Sequence, residues 1–185
     1  MCDLSRTRTN AVPGEGNRSA NVMFIGEAPG FHEDRNGEPF VGAAGKFLNE
    51  LLESIDLDRS TVYITNVVKC RPPGNRDPLP DELAACAHYI DRQIELIDPK
   101  VVVTLGRFSM SRWFPKERIS RIHGTPKRFG NVTIVPMYHP AAALHQGSLR
   151  ATIEADMKKL PQILAQMEAE ENEQEDPDAE QMKLF

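Results

Sequence analysis

The sequence predicts an α/β fold, a three-layer αβα sandwich around a mostly parallel four-stranded sheet, and three observations carry that prediction. Four apolar, β-branched runs, at 22–25, 62–68, 101–105 and 132–137, are bounded by Gly, Pro, Asn or Asp and are too short for helices. Apolar residues at helical spacing follow the first, second and fourth of these runs. Strand and helix therefore alternate, the pattern of crossover connections that lay strands parallel and cover them with helices.

Taken in order, the first run leads to a stripe of Phe47, Leu48, Leu51, Leu52 and Ile55, one face of a helix. After the second run the stripe is Leu83, Ala87, Ile90, Ile94 and Ile97. Pro80, Asp81 and Glu82 suit the first turn of that helix, where a missing N–H costs nothing and acids face the positive dipole end. The fourth run is followed by Leu149, Ile153, Met157, Leu160, Ile163 and Leu164, in a helix that Pro161 is expected to kink or break.

A chain of 185 residues is the size of one domain with its own core, which excludes a small disulfide scaffold. It is 40% hydrophobic and 26% charged, with no apolar run near the ~18 residues that span a bilayer and no basic-then-apolar leader. A soluble, cytoplasmic protein without membrane contact is expected. The formal charge of −5 is uneven, because residues 166–185 carry eight acidic residues against Lys183 alone. The expected organisation is a folded domain over 1–165, mildly basic and able to approach DNA, and an acidic disordered tail over 166–185. That tail ends in two large apolar residues, Leu184 and Phe185, as a short linear docking motif would. The cysteines Cys2, Cys70 and Cys86 are odd in number, and in a reducing compartment metal ligation or plain burial outranks a disulfide.

Four segments carry chemistry. Gly26-Glu27-Ala28-Pro29-Gly30 follows the first strand, where an open α/β sheet leaves backbone N–H groups free and glycine lets a ligand approach; the same residues also make an ordinary loop. Pro39-Phe40-Val41-Gly42 sets an aromatic among small residues before a helix, either a core phenylalanine or a stacking platform for a flat ring. Asn66 ends the second strand, where it is either a turn former or an amide offering a donor and an acceptor to a base edge. Tyr138-His139-Pro140-Ala141-Ala142-Ala143-Leu144 closes the last strand and holds an imidazole rigidly at its end. All four fall at or just after carboxyl ends of strands, so one crevice can receive them.

In this order, and together with Thr65-Asn66-Val67-Val68-Lys69-Cys70-Arg71-Pro72, these residues resemble the family 4 uracil-DNA glycosylases, the iron–sulfur branch of that superfamily; the likeness runs from about Cys2 to Leu164. The resemblance implies hydrolysis of the N-glycosidic bond of deoxyuridine in single- and double-stranded DNA by a monomeric, nucleoid-associated repair enzyme, with the nucleotide flipped into a pocket. Gly26, Glu27, Ala28, Gly30, Phe40, Asn66, His139 and Leu144 become the substrate site. Phe40 would stack on uracil, Asn66 would read its polar edge, and neutral His139 with backbone N–H groups near Glu27 and Ala28 would stabilise the departing anion. Leu144 would fill the vacated stack. Ala28 stands where better-known relatives carry a water-orienting Asp, and Glu27 is the replacement candidate; Gly30 stands where they carry a tyrosine that blocks the thymine methyl.

A [4Fe–4S] cluster is also implied, on Cys70, Cys86 and Cys2, with Cys2 as the second member of a Cys-x2-Cys pair whose first member would precede Met1. Either the start is truncated or misassigned, or the cluster has only three protein thiolates; because iron normally takes four sites, a missing N-terminal segment is the favoured expectation. Lys69, Arg71, Arg76, Arg118, Arg121, Lys127 and Arg128 are candidate phosphate contacts, with His145 where relatives carry Arg. Gln181-Met182-Lys183-Leu184-Phe185 resembles the peptide by which bacterial repair proteins bind the sliding clamp through Gln181, Leu184 and Phe185. Two competing readings are a superfamily relative that traps uracil-DNA covalently and a noncatalytic iron–sulfur DNA-binding module.

Overall fold

Alternation inside the central strands decides the layering. Val22 and Phe24 face one core while Met23 and Ile25 face the other, and Val101 and Val103 oppose Val102 in the same way. The computed structural model describes residues 2–175, with side chains through residue 170. Chain order is α1 (Leu4–Thr7), β1 (Glu15–Gly16), β2 (Val22–Gly26), α2 (Phe31–Asn36), α3 (Ala43–Glu53), β3 (Tyr63–Asn66), α4 (Pro80–Ile97), β4 (Val101–Leu105), α5 (Arg107–Met110), α6 (Ile119–Ile122), β5 (Lys127–Phe129), β6 (Val132–Met137), α7 (Pro140–His145), α8 (Ser148–Met157) and α9 (Leu160–Glu175). Helices α3, α8 and α9 pack on one face of the sheet through Phe47, Leu48, Ile153, Met157 and Leu160. Helices α1, α4 and α5 cover the other through Leu4, Ile90, Ile97 and Met110. This is the αβα sandwich the sequence predicts.

The sheet has six strands rather than four, in the order β1-β3-β2-β4-β6-β5. Its four central strands are the predicted ones and are mutually parallel. The two extra strands are short antiparallel edges, β1 on β3 and β5 on β6. At two and three residues they show no hydrophobic period and could not be read from sequence. The chain leaves β2 toward β3 on one side and continues from β4 toward β6 on the other. That reversal opens a crevice beyond the carboxyl ends of β2 and β4, the usual ligand position of an open α/β sheet.

The predicted break near Pro161 occurs between Met157 and Leu160, with the proline in the first turn of α9. Helix α9 then runs on to Glu175, so residues 168–175 are helical instead of an extended spacer. Glutamates are good helix formers, Leu160 and Ile163 anchor the first turns in the core, and Glu170 meets Arg128 at 2.6 Å. Residues 176–185, with the clamp-like peptide, lie outside the described residues. Among the described residues no helix is long and apolar enough to cross a membrane.

Candidate active site

The ends of β2, β3 and β6 and the loops that follow them enclose a cavity of about 870 Å³. Glu27, Ala28, Gly30, Phe40, Asn66 and His139 all line it, so the structure brings together the residues that sequence motifs place far apart. Gly26 does not itself line the cavity but packs directly against two of them. A Cβ built there would lie 2.6 Å from Phe40 Cζ and would also meet Asn66 Oδ1, so only glycine lets that ring and that amide close over the end of β2. Gly26→Ala is expected to displace both side chains and lower catalytic efficiency by roughly tenfold to 100-fold in a steady-state assay, since small misplacements of positioning groups carry costs of that order.

Phe40 is buried at 6% exposure, with its ring stacked against His139 at 5.5 Å between centroids and 26° between planes. Its backbone is left-handed at φ 53°, a conformation that costs a non-glycine residue roughly 1–3 kcal/mol and persists only when its surroundings impose it. Asn66 is 2% exposed, and its Oδ1 is buried without a hydrogen-bond partner. Buried acceptors are nearly always satisfied, so an orphan amide oxygen on a cavity wall marks a place where a ligand donor fits.

His139 caps α7, its Nδ1 accepting a hydrogen bond from the Ala141 amide at 3.1 Å. That bond makes Nδ1 the acceptor and leaves the ring proton on Nε2. Burial pushes the imidazole down to about 4, against the opposing pull of Glu33, so the ring is neutral at physiological pH. Gly106, at φ 90°, sits under it, where a Cβ would come within 3.2 Å of His139 Cβ. Glu27 is raised to about 7, first by burial and then by Asp77, with Arg107 pulling the other way. Arg107 and Asp77 are themselves ion-paired at the cavity.

The structure adds groups at and beside the cavity to which the sequence assigned no role. Glu33 Oε1 accepts from the Val41 and Gly42 amides at 2.9 and 2.8 Å, and Arg59 reaches the carbonyls of Pro39 and Phe40 from the other side. Phe31, 44% exposed, lines the cavity with the Arg35 and Arg71 guanidiniums 5.6 and 5.1 Å from its ring centre. Leu144 is exposed on α7 next to the cavity-lining His145 but does not itself line the cavity. Among the basic residues, Arg71 bonds Asn75 Oδ1 and Arg76 forks onto Glu82, both beside the cavity, whereas Arg128 is turned toward α9 by Glu170.

A second cavity, of about 820 Å³, is lined by Cys2, Cys70 and Cys86. All three thiols are free. Arg8 Nη1 donates to Cys70 Sγ at 3.1 Å, and Lys69 Nζ bonds the Asn66 carbonyl at 2.8 Å, linking the two cavities. Iron–sulfur ligation is built on thiolates, and the chemistry of these three side chains, though not their spacing here, suits it. Among the described residues no group of three or more His, Cys, Asp or Glu side chains lies close enough to hold a metal ion.

Residues 13–163 match the family model of the uracil DNA glycosylase superfamily. The chain belongs to the uracil-DNA glycosylase superfamily. A Type-4 uracil-DNA glycosylase of Archaeoglobus fulgidus is 52% identical over 88% of this chain and 86% of its own length. Those of Sulfurisphaera tokodaii and Saccharolobus solfataricus are each 49% identical, over 88% and 89% of this chain and 78% and 81% of their own lengths. The superfamily match contains every residue named from the first cavity, together with Cys70 and Cys86, and leaves Cys2 and Arg8 outside it.

Proposed function

We propose that the protein is a uracil-DNA glycosylase that flips deoxyuridine out of DNA, hydrolyses its N-glycosidic bond and leaves an abasic site for base-excision repair. The observation that carries this reading is the meeting of a buried ring, an unpaired amide and an uncharged imidazole on one cavity wall. Phe40 stacks on the flipped base and Asn66 reads its edge, its orphan Oδ1 accepting from N3–H while the amide N–H₂ donates to O4. Uracil departs as an anion, and His139 Nε2–H donates toward O2 where that charge develops without needing a proton from solvent. Protonation would place an N–H against the Ala141 amide and break the helix cap, so the neutral form is the one the fold favours. Glu27 positions the attacking water. Arg71, Arg76 and Arg107 hold phosphates at the mouth, and Leu144 enters the vacated stack.

Cys2, Cys70 and Cys86 are the residues of this chain that would hold a [4Fe–4S] cluster, which when bound would serve structurally, steadying the loop from Arg71 to Arg76 that follows Cys70. The same proposal includes a monomer acting at the nucleoid and a tail that docks on the sliding clamp through Gln181, Leu184 and Phe185.

Release of free uracil from single-stranded and duplex deoxyuridine oligonucleotides tests the reading. A denaturation-resistant protein–DNA adduct, or binding without release, would refute it. Because Glu27 ionises near 7 in the folded site, its carboxylate form grows as pH rises through that value. The wild-type rate is therefore expected to climb with pH through about 7, and Glu27→Gln to lose that limb along with about 100-fold in kcat. A pH profile unchanged by the substitution would remove Glu27 from catalysis.

A further inference from the structure

Phe40 holds its left-handed backbone only because the turn around it is gripped from both sides. The amides of Val41 and Gly42 are taken by Glu33, and the two carbonyls before them are taken by Arg59. Arg59 Nη2 donates to Pro39 O at 2.6 Å and Nη1 to Phe40 O at 3.2 Å. The guanidinium is itself fixed, with Nε on Glu15 Oε1 at 2.6 Å and Nη1 on Asn49 Oδ1 at 3.1 Å. Glu15 belongs to the edge strand β1 and Asn49 to α3, so two separate elements aim one side chain at the turn. Arg59 does not line the cavity and cannot touch a bound base.

We infer that Arg59, buttressed by Glu15, is a positioning residue for uracil recognition: it fixes the turn at Phe40 and with it the ring's stacking place above Gly26. Four acceptors are met at once by a rigid planar fork, which an ammonium on a flexible stem cannot imitate. Without the fork, the Phe40 backbone is free to leave the left-handed region, and the ring goes with it. The loss falls mainly on ground-state binding of uracil, because the Ala141 amide still orients His139 through Nδ1 when the Phe40 ring stacked on it moves.

This inference rests on the glycosylase reading, and the test separates the two. Wild-type uracil release from a deoxyuridine oligonucleotide comes first; no release overturns both. Given release, Arg59→Ala is expected to raise KM and weaken inhibition by free uracil about tenfold while kcat moves less than about threefold. The deciding measurement is the same replacement made in a Phe40→Ala background, where it is expected to change KM and uracil inhibition less than about twofold, since the group it positions is already gone. Equal losses in both backgrounds, or unchanged uracil inhibition in Arg59→Ala alone, would mean that Arg59 only stabilises the fold and would overturn the inference. If Arg59→Ala melts below the assay temperature, Arg59→Lys carries the same cycle, and additivity there overturns the inference equally.

Discussion

Replacing His139 by alanine is expected to lower kcat on deoxyuridine oligonucleotides by about 10²–10³-fold, the usual consequence of removing one preorganised donor from a developing anion. The Ala141 amide occupies Nδ1, so the only polar hydrogen the ring offers is on Nε2, and burial holds the ring neutral down to about 4. The substitution removes that donor and the cap of α7 together. Loss of the cap costs about 1 kcal/mol, which shifts the melting midpoint by only about 2–4 °C in a protein of this size. Activity and stability therefore part company, and single-turnover rates beside thermal melts read both. A single-turnover rate within threefold of wild type would remove His139 from the mechanism.

Asn66→Ala is expected to lose about 100-fold in kcat/KM, the scale of a bidentate base contact. Its effect on stability should be small or even favourable, which is unusual for a residue at 2% exposure. The reason is that Oδ1 has no partner in the free protein, so deleting it breaks no bond on that side and relieves a buried polar atom. A large drop in melting temperature, or retention of wild-type kcat/KM, would show that the amide serves the fold and not the base.

Much of this arrangement was legible before any coordinates. The central strands announced themselves because they are buried on both faces, so their apolar residues run together with only Thr104 and Thr133 as polar breaks in these three. Phe40 was legible as an aromatic among small residues before a helix, and Asn66 and His139 as polar groups at or just after the carboxyl ends of strands. What stayed hidden was either too short to show a period or dependent on contacts across the chain. Helices α1, α5 and α6 have four residues each. The grip of Arg59 on Pro39 and Phe40 spans some twenty positions, and the pull of Glu33 on Val41 and Gly42 eight or nine, distances at which no local pattern speaks. The left-handed turn falls on Phe40 and not on the neighbouring Gly42, a choice made by tertiary bonds against residue preference. The acidic stretch misled in the other direction, since its composition resembled a solvated spacer while Leu160 and Ile163 had already started a helix that glutamates readily extend.

The hairpin joining β5 to β6 turns at Gly130, where the backbone has φ 60° and an added Cβ would meet nothing within 4 Å. It lies at the amino end of β6, whereas His139 follows the carboxyl end, a separation of roughly 20 Å along a six-residue strand. A dye, affinity handle or surface tether attached at residues 130–131 would therefore hang from the back of the molecule, leaving the nucleic acid free to come and go at the front.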